Sequence, residues 1–283
     1  MRTLLTVIGD GNAAPVLETA LLAARKFDGR IIGLNALTTE YAVVFGGEMG
    51  FSVSSEVDRT LEREGHERRA QARSLFESFM RRNEVPTITA DMAPPQGVSA
   101  EWREESGRQN AVVGSLGRVF DLIVVERPAK LASLAEATLE DALFESGRPV
   151  LMAPPKPPST IGERIVIAWN GSTETARTVA LSMPYLALAR SVQVLSVEGA
   201  MQPGPSGDDL ASGLRQRGIA AKSRVIAASN RQAGEVFLAE AGAAQCDLLV
   251  KGAYTQSRLR QMIFGGATRH IIMEAAIPVI LAH

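Results

Sequence analysis

At 283 residues the chain is long enough for about two domains of ordinary size, and 46% hydrophobic with 22% charged residues is the composition of a globular protein with a substantial core. Its 30 basic and 31 acidic side chains leave a net charge of -1, which excludes a global field for nucleic acid or an anionic membrane and makes any polyanion site local. One cysteine, Cys246, excludes an internal disulfide, and no apolar run approaches the roughly 18 residues needed to cross a bilayer.

In chain order, Leu4 to Ile8 reads as a short apolar strand ending at Gly9-Asp10-Gly11. Ala13 to Phe27 reads as a helix with Val16, Ala20, Ala23 and Phe27 at helical spacing, and Arg30 to Leu37 as a second strand. Next comes a glycine-rich piece, Phe45-Gly46-Gly47-Glu48-Met49-Gly50-Phe51, expected to be a surface loop. From Glu56 to Arg82 the spacing of Val57, Leu61, Ala72, Leu75, Phe76 and Phe79 predicts a long helix with one apolar stripe. Its charged face, with Glu64 and Arg68 in the favourable i,i+4 order, reads as solvated. Phe120 to Val125 is another buried-type strand. Ala153 to Ser159 is proline-rich and reads as a stiff linker, dividing the chain into domains 1–155 and 160–283.

Beyond the linker the pattern begins again. Ile165 to Trp169 is a strand ending at Asn170-Gly171-Ser172. A helix with Ala176, Val179, Met183 and Ala187 on one face follows, then the strand Ser191 to Val197. Gly11 stands to Gly171 as Arg30 stands to Arg190, at the same offset along the chain. The ends of the halves also match, Phe120–Val125 with Cys246–Lys251 and Arg148–Leu151 with Ile277–Ile280. The offset is smaller there, so the first half carries an insertion between its second and fourth strands. Each half reads β-α-β-α-β-α-β-α-β, which calls for parallel strands joined by right-handed crossovers: two tandem, open, Rossmann-like α/β domains. Ligands of such sheets sit at the carboxyl ends of the strands, where the strand order reverses.

The stretch best suited to a ligand is Leu249-Val250-Lys251-Gly252-Ala253-Tyr254-Thr255, followed after nine residues by Gly265-Gly266-Ala267-Thr268 and a short apolar helix. Glycine lets backbone approach an anion, and the first N–H groups of a helix are unpaired and partially positive. A strand-end turn at Gly252 and a plain helix start at Gly265-Gly266 explain the same residues without a ligand.

These residues resemble the universal stress protein family, and the whole chain looks like a tandem member with two such domains, of the type related to adenine-nucleotide hydrolases. The family's signature is Gly, two residues, Gly, nine residues, Gly, then Ser or Thr. Gly252 and Gly265 match it, whereas Thr255 and Gly266 stand where a glycine and a hydroxyl residue are expected. Ser257 to Arg260, Phe264 to Arg269 and Ile277 to Ile280 extend the resemblance. It implies a cytoplasmic, non-catalytic stress-response regulator that binds ATP, with Mg²⁺, in its second domain. The implied site is Gly252, Thr255, Gly265, Gly266, Ala267 and Thr268 around phosphate, Asn170 on ribose or base, and Val197 packing near adenine. Asn170 takes a position commonly Asp in the family and cannot hold a metal as a carboxylate does. The resemblance also implies pairing of the two domains through their last strands, Val150-Leu151-Met152 and Val279-Ile280-Leu281, and membership of a homodimer.

The first half departs further from the family. Glu126-Arg127-Pro128 and Ala135-Glu136-Ala137-Thr138 replace the glycines with carboxylates that would repel phosphate, so no nucleotide is expected there. Three rivals remain. Gly9-Asp10-Gly11-Asn12-Ala13-Ala14 fits a dinucleotide fingerprint, but Leu34-Asn35-Ala36 lacks the acidic ribose ligand. A hydrolase would need more than the one glycine and hydroxyl of Asn170-Gly171-Ser172, and no nucleophile-base pair accompanies them. A nucleotide-free signalling or protein-interaction module on the same fold stays open because of Thr255 and Gly266. His66, His270 and His283 have no metal-ligand spacing, and Arg258, Arg260 and Arg269 are candidates to balance phosphate charge.

Overall fold

The computed structural model describes residues 1–9, 13–37, 55–89, 91–93, 95–227, 231–253 and 266–283, with backbone only at 55–62 and 64. The loop 46–47, Thr255, Arg258, Arg260 and Gly265 therefore lie outside the described residues.

The first half runs β1 (Thr3–Val7), α1 (Ala13–Phe27), β2 (Arg30–Leu37), α2 (Ser55–Arg82), β3 (Ser99–Ser106), α3 (Gln109–Leu116), β4 (Leu122–Glu126), α4 (Leu134–Glu145) and β5 (Val150–Ala153). The second runs β6 (Arg164–Ala168), α5 (Thr173–Leu181), α6 (Met183–Leu188), β7 (Ser191–Val197), α7 (Gly207–Gln216), β8 (Ala221–Ile226), α8 (Ala233–Ala243), β9 (Leu248–Gly252), α9 (Ala267–Glu274) and β10 (Val279–Ala282). All ten described strands form one open sheet in the order β3-β2-β1-β4-β5-β10-β9-β6-β7-β8. Within each half the pairing is parallel and the order is that of a doubly wound sheet reversing beside its first strand.

The seam between the halves is the one antiparallel pairing, with Val279 opposite Met152, Ile280 opposite Leu151 and Leu281 opposite Val150. These are the last-strand residues expected to join. Because direction reverses at the seam, the carboxyl edges of the two halves lie at opposite ends of the sheet. The Lys26–Glu163 ion pair (3.2 Å) and the edge-on packing of Phe27 against Tyr185 also cross from one half to the other.

The inner strands of the sheet are buried on both faces, while the edge strands β3 and β8 are partly exposed. On one side α1, α2, α5 and α6 bring Val16, Leu17, Phe76, Val179 and Leu186 against Leu4, Ile31, Ile165 and Val250. On the other, α4, α8 and α9 bring Leu139, Phe237 and Ile271 against Leu5, Ile123, Val166 and Leu249. Strands apolar on both faces follow from this layering.

Two helical faces differ from expectation. In α2, Ala72, Phe76, Phe79 and Met80 are buried, but Leu75 is 41% exposed. The expected single helix after β6 is broken at Ser182, where Pro184 enters the first turn of α6 without an N–H to give. Its inward face consists of Thr175, Thr178, Val179, Ser182, Tyr185 and Leu186, while Ala176 and Ala187 are exposed. Two of the inward hydroxyls are satisfied locally, while those of Ser182 and Tyr185 have no partner among the described residues. Thr178 Oγ1 donates to the Glu174 carbonyl (2.7 Å), and Thr175 Oγ1 donates to Asn170 Oδ1 (2.6 Å).

Candidate functional site at the carboxyl edge of the second half

The strand order reverses between β6 and β9, after which the chain turns to opposite faces of the sheet: α5 packs on one and α9 on the other. The amino end of α5 packs on the carboxyl end of β9, where Thr175 meets Gly252, and the amino end of α9 packs beside Gly234 of α8; with β9 and β10 parallel, both lie at the carboxyl edge, the expected place for a ligand.

Asn170 leaves β6 at this edge. Its Oδ1 accepts from the Ser172 N–H (3.2 Å) and from Thr175 Oγ1, while Ser172 Oγ accepts from the Thr175 N–H (3.2 Å). The amide oxygen is thus spent on capping α5, which leaves Nδ2 as the group that can address a ligand. Gly171, at φ +80°, lies so close to the loop after β7 that a Cβ would come within 2.9 Å of the Gln202 carbonyl oxygen. The Gln202 N–H donates to the Asn170 carbonyl (2.7 Å), and Trp169 Nε1 donates to the Pro205 carbonyl (3.0 Å). Residues 202–205 therefore strap the loop after β6 in place. Val197 is buried in the core, and its carbonyl accepts from the Ala200 N–H (3.1 Å).

Gly252 ends β9. A Cβ there would stand 2.4 Å from the Thr175 backbone nitrogen and 2.6 Å from its Oγ1, so glycine is required for α5 to pack on the strand end. Gly266, in extended conformation (φ -81°, ψ 172°), precedes Ala267 and Thr268 at the start of α9. It is exposed, and among the described residues a Cβ there would meet nothing within 4 Å and no side chain caps the helix. Among the described residues nothing accepts from the first-turn N–H groups of α9, which suits them to an anion. His270 packs its Cβ near Gly234 of α8, as a packing residue.

Lys251 was not singled out by the motif, although a lysine inside an apolar five-residue strand was visible in the sequence. Its side chain is buried at 3% exposure, Nζ donates to the Gly252 carbonyl (2.8 Å), and burial pushes its pKa down to about 8, opposed by the field of Glu174. Cys246 behaves as an inert core thiol: burial pushes it up to about 12, and Sγ donates to the Leu248 carbonyl (3.0 Å). Among the described residues no group of three or more His, Cys, Asp or Glu could hold a metal ion, and no helix is long and apolar enough to cross a membrane.

The corresponding edge of the first half is built differently. Glu126 Oε1 lies 3.5 Å from where a Gly9 Cβ would stand, which puts a carboxylate beside the loop after β1. The start of α4 is closed by its own side chains: Ser133 Oγ accepts from the Glu136 N–H (3.2 Å), and Glu136 Oε2 from the Ala132 N–H (2.5 Å).

No protein-family model and no curated protein sequence matches the chain. Solved structures do. A universal stress protein from Archaeoglobus fulgidus superposes over 99% of this chain and 95% of its own at a TM-score of 0.69 and 15% identity. A Pseudomonas aeruginosa protein provisionally classed as a universal stress protein covers 100% of this chain and 93% of its own, at 0.55 and 16%. A second Pseudomonas aeruginosa protein, of unknown function, covers 100% and 92%, at 0.53 and 16%. From end to end, the chain has the universal stress protein fold.

Proposed function

We propose that this chain is a tandem universal stress protein, two duplicated units in one cytoplasmic polypeptide, which regulates by binding an adenine nucleotide at the carboxyl edge of its second half. The observation that carries the reading is the start of α9 at the carboxyl edge, which among the described residues is neither capped nor obstructed, set against the self-capped start of α4. A phosphate accepts from the free N–H groups of α9 and is favoured by the positive end of the helix dipole. Gly266, Ala267 and Thr268 would supply those N–H groups, and Asn170 Nδ2 a donor to ribose or base. ATP fits as the ligand, with Mg²⁺ carried on the phosphates, since Asn170 offers no carboxylate. Turnover is not part of the reading, because no nucleophile and base stand together at this edge among the described residues.

Titrating nucleotide-stripped protein calorimetrically with ATP and Mg²⁺ tests the proposal. Saturable heat at a stoichiometry of one is expected. The packing of Gly252 against Thr175 explains that glycine without a ligand and favours a second reading, the nucleotide-free interaction module. An absence of heat up to millimolar ATP, with the fold intact by circular dichroism, would establish that second reading instead.

A further inference from the structure

Lys251 has no packing reason to be a lysine. It sits in β9, between β6 and β10 near the middle of the sheet, with all five residues of the strand buried. Its Nζ has one hydrogen bond, to a neutral carbonyl, and no ion pair among the described residues. Burying an ammonium with so little compensation among the described residues is unfavourable, whereas a methionine of similar volume carries no such penalty. A residue retained at that cost calls for a compensating anion.

Position within the edge indicates where the anion would sit. The Nζ reaches the Gly252 carbonyl, at the carboxyl end of β9, the same edge as Asn170 and the amino end of α9. In the first half the matching strand position is Val125, buried and apolar, and there the matching helix is closed by Ser133 and Glu136. The buried cation and the open helix start occur together in one half and are both missing from the other. Building on the nucleotide-binding reading above, we infer that Lys251 is the counter-charge that receives a phosphate group of the bound nucleotide. Adenosine, which has no phosphate, would not draw on it.

The test is Lys251→Met, titrated with ATP and with adenosine. ATP affinity is expected to fall about tenfold or more, the loss of one charge-assisted hydrogen bond, while adenosine affinity stays within about twofold. The ligand-free melting temperature should be equal or higher, since a buried charge has been removed. As a second variant, Glu174→Gln removes the carboxylate whose field reaches Lys251 and should tighten ATP binding. If Lys251→Met binds ATP like the wild type, this inference is overturned and nucleotide binding stands. A lowered melting temperature with unchanged ATP affinity would make Lys251 a structural residue and overturn it too. Wild-type protein that takes up no ATP overturns both readings.

Discussion

The cost of Lys251 can be measured through its titration. Its pKa is about 8 in the folded chain against 10.5 for the free side chain. Below pH 8 both states are protonated and the folded one bears the full burial penalty, roughly 3 kcal/mol for such a shift. Between about pH 8 and 10.5 the unfolded chain holds the proton more tightly, so stability from this group rises with pH. Denaturant titrations across that window should show the rise in the wild type and its absence in Lys251→Met. Gly252 makes the opposite demand. Because the atoms 2.4–2.7 Å from its missing Cβ belong mainly to the Thr175 backbone, Gly252→Ala should destabilise by about 1–3 kcal/mol in the same assay. The sequence left Gly252 open between a loop facing an anion and a plain strand-end turn, with no packing reason for it. The reason is a contact with Thr175, whose inward orientation no hydrophobic pattern reveals.

Elements were legible where apolar periodicity was strong and misread where polar side chains point inward. Eight of the ten described strands were legible as runs of apolar residues, and α1 because its small apolar residues repeat at helical spacing, whereas the edge strands β3 and β8, polar and half-exposed, were implied only by the repeating order of each half. The α5–α6 break escaped because Thr175, Thr178 and Ser182 lie on the inward face, Thr175 and Thr178 bonding to nearby side-chain or main-chain acceptors, so the alanines beside them mimic an apolar stripe. Capping was partly legible: Ser133 three residues before Glu136 is the capping-box spacing, and its counterpart in α9 is Gly266. Ser133→Ala should therefore cost about 1 kcal/mol of stability by thermal or chemical unfolding and leave ATP affinity unchanged. A change in ATP affinity would place nucleotide in the half where the carboxylates of Glu126 and Glu136 argue against it.

At the scale of the molecule, the matching offsets of the two halves anticipated the shared strand order, and the antiparallel seam is formed by the residues expected to join. What no pattern within one strand encodes is the consequence, that the candidate edges point in opposite directions and a ligand on one half is remote from the other. The seam is also the weak point for charge. Leu151→Asp, placing an unpaired carboxylate opposite Ile280 in a fully buried ladder, should cost about 4 kcal/mol and lower the melting temperature of the whole chain. The central claim, a nucleotide on the open start of α9, is tested most directly by Gly266→Asp. The position is extended and open, so aspartate fits and caps the helix at least as well as glycine, while its charge falls where a phosphate would bind. Calorimetric titration with ATP and Mg²⁺ should show saturable binding to the wild type and none to Gly266→Asp at an unchanged or higher melting temperature. Equal ATP affinity in the two proteins would contradict the account.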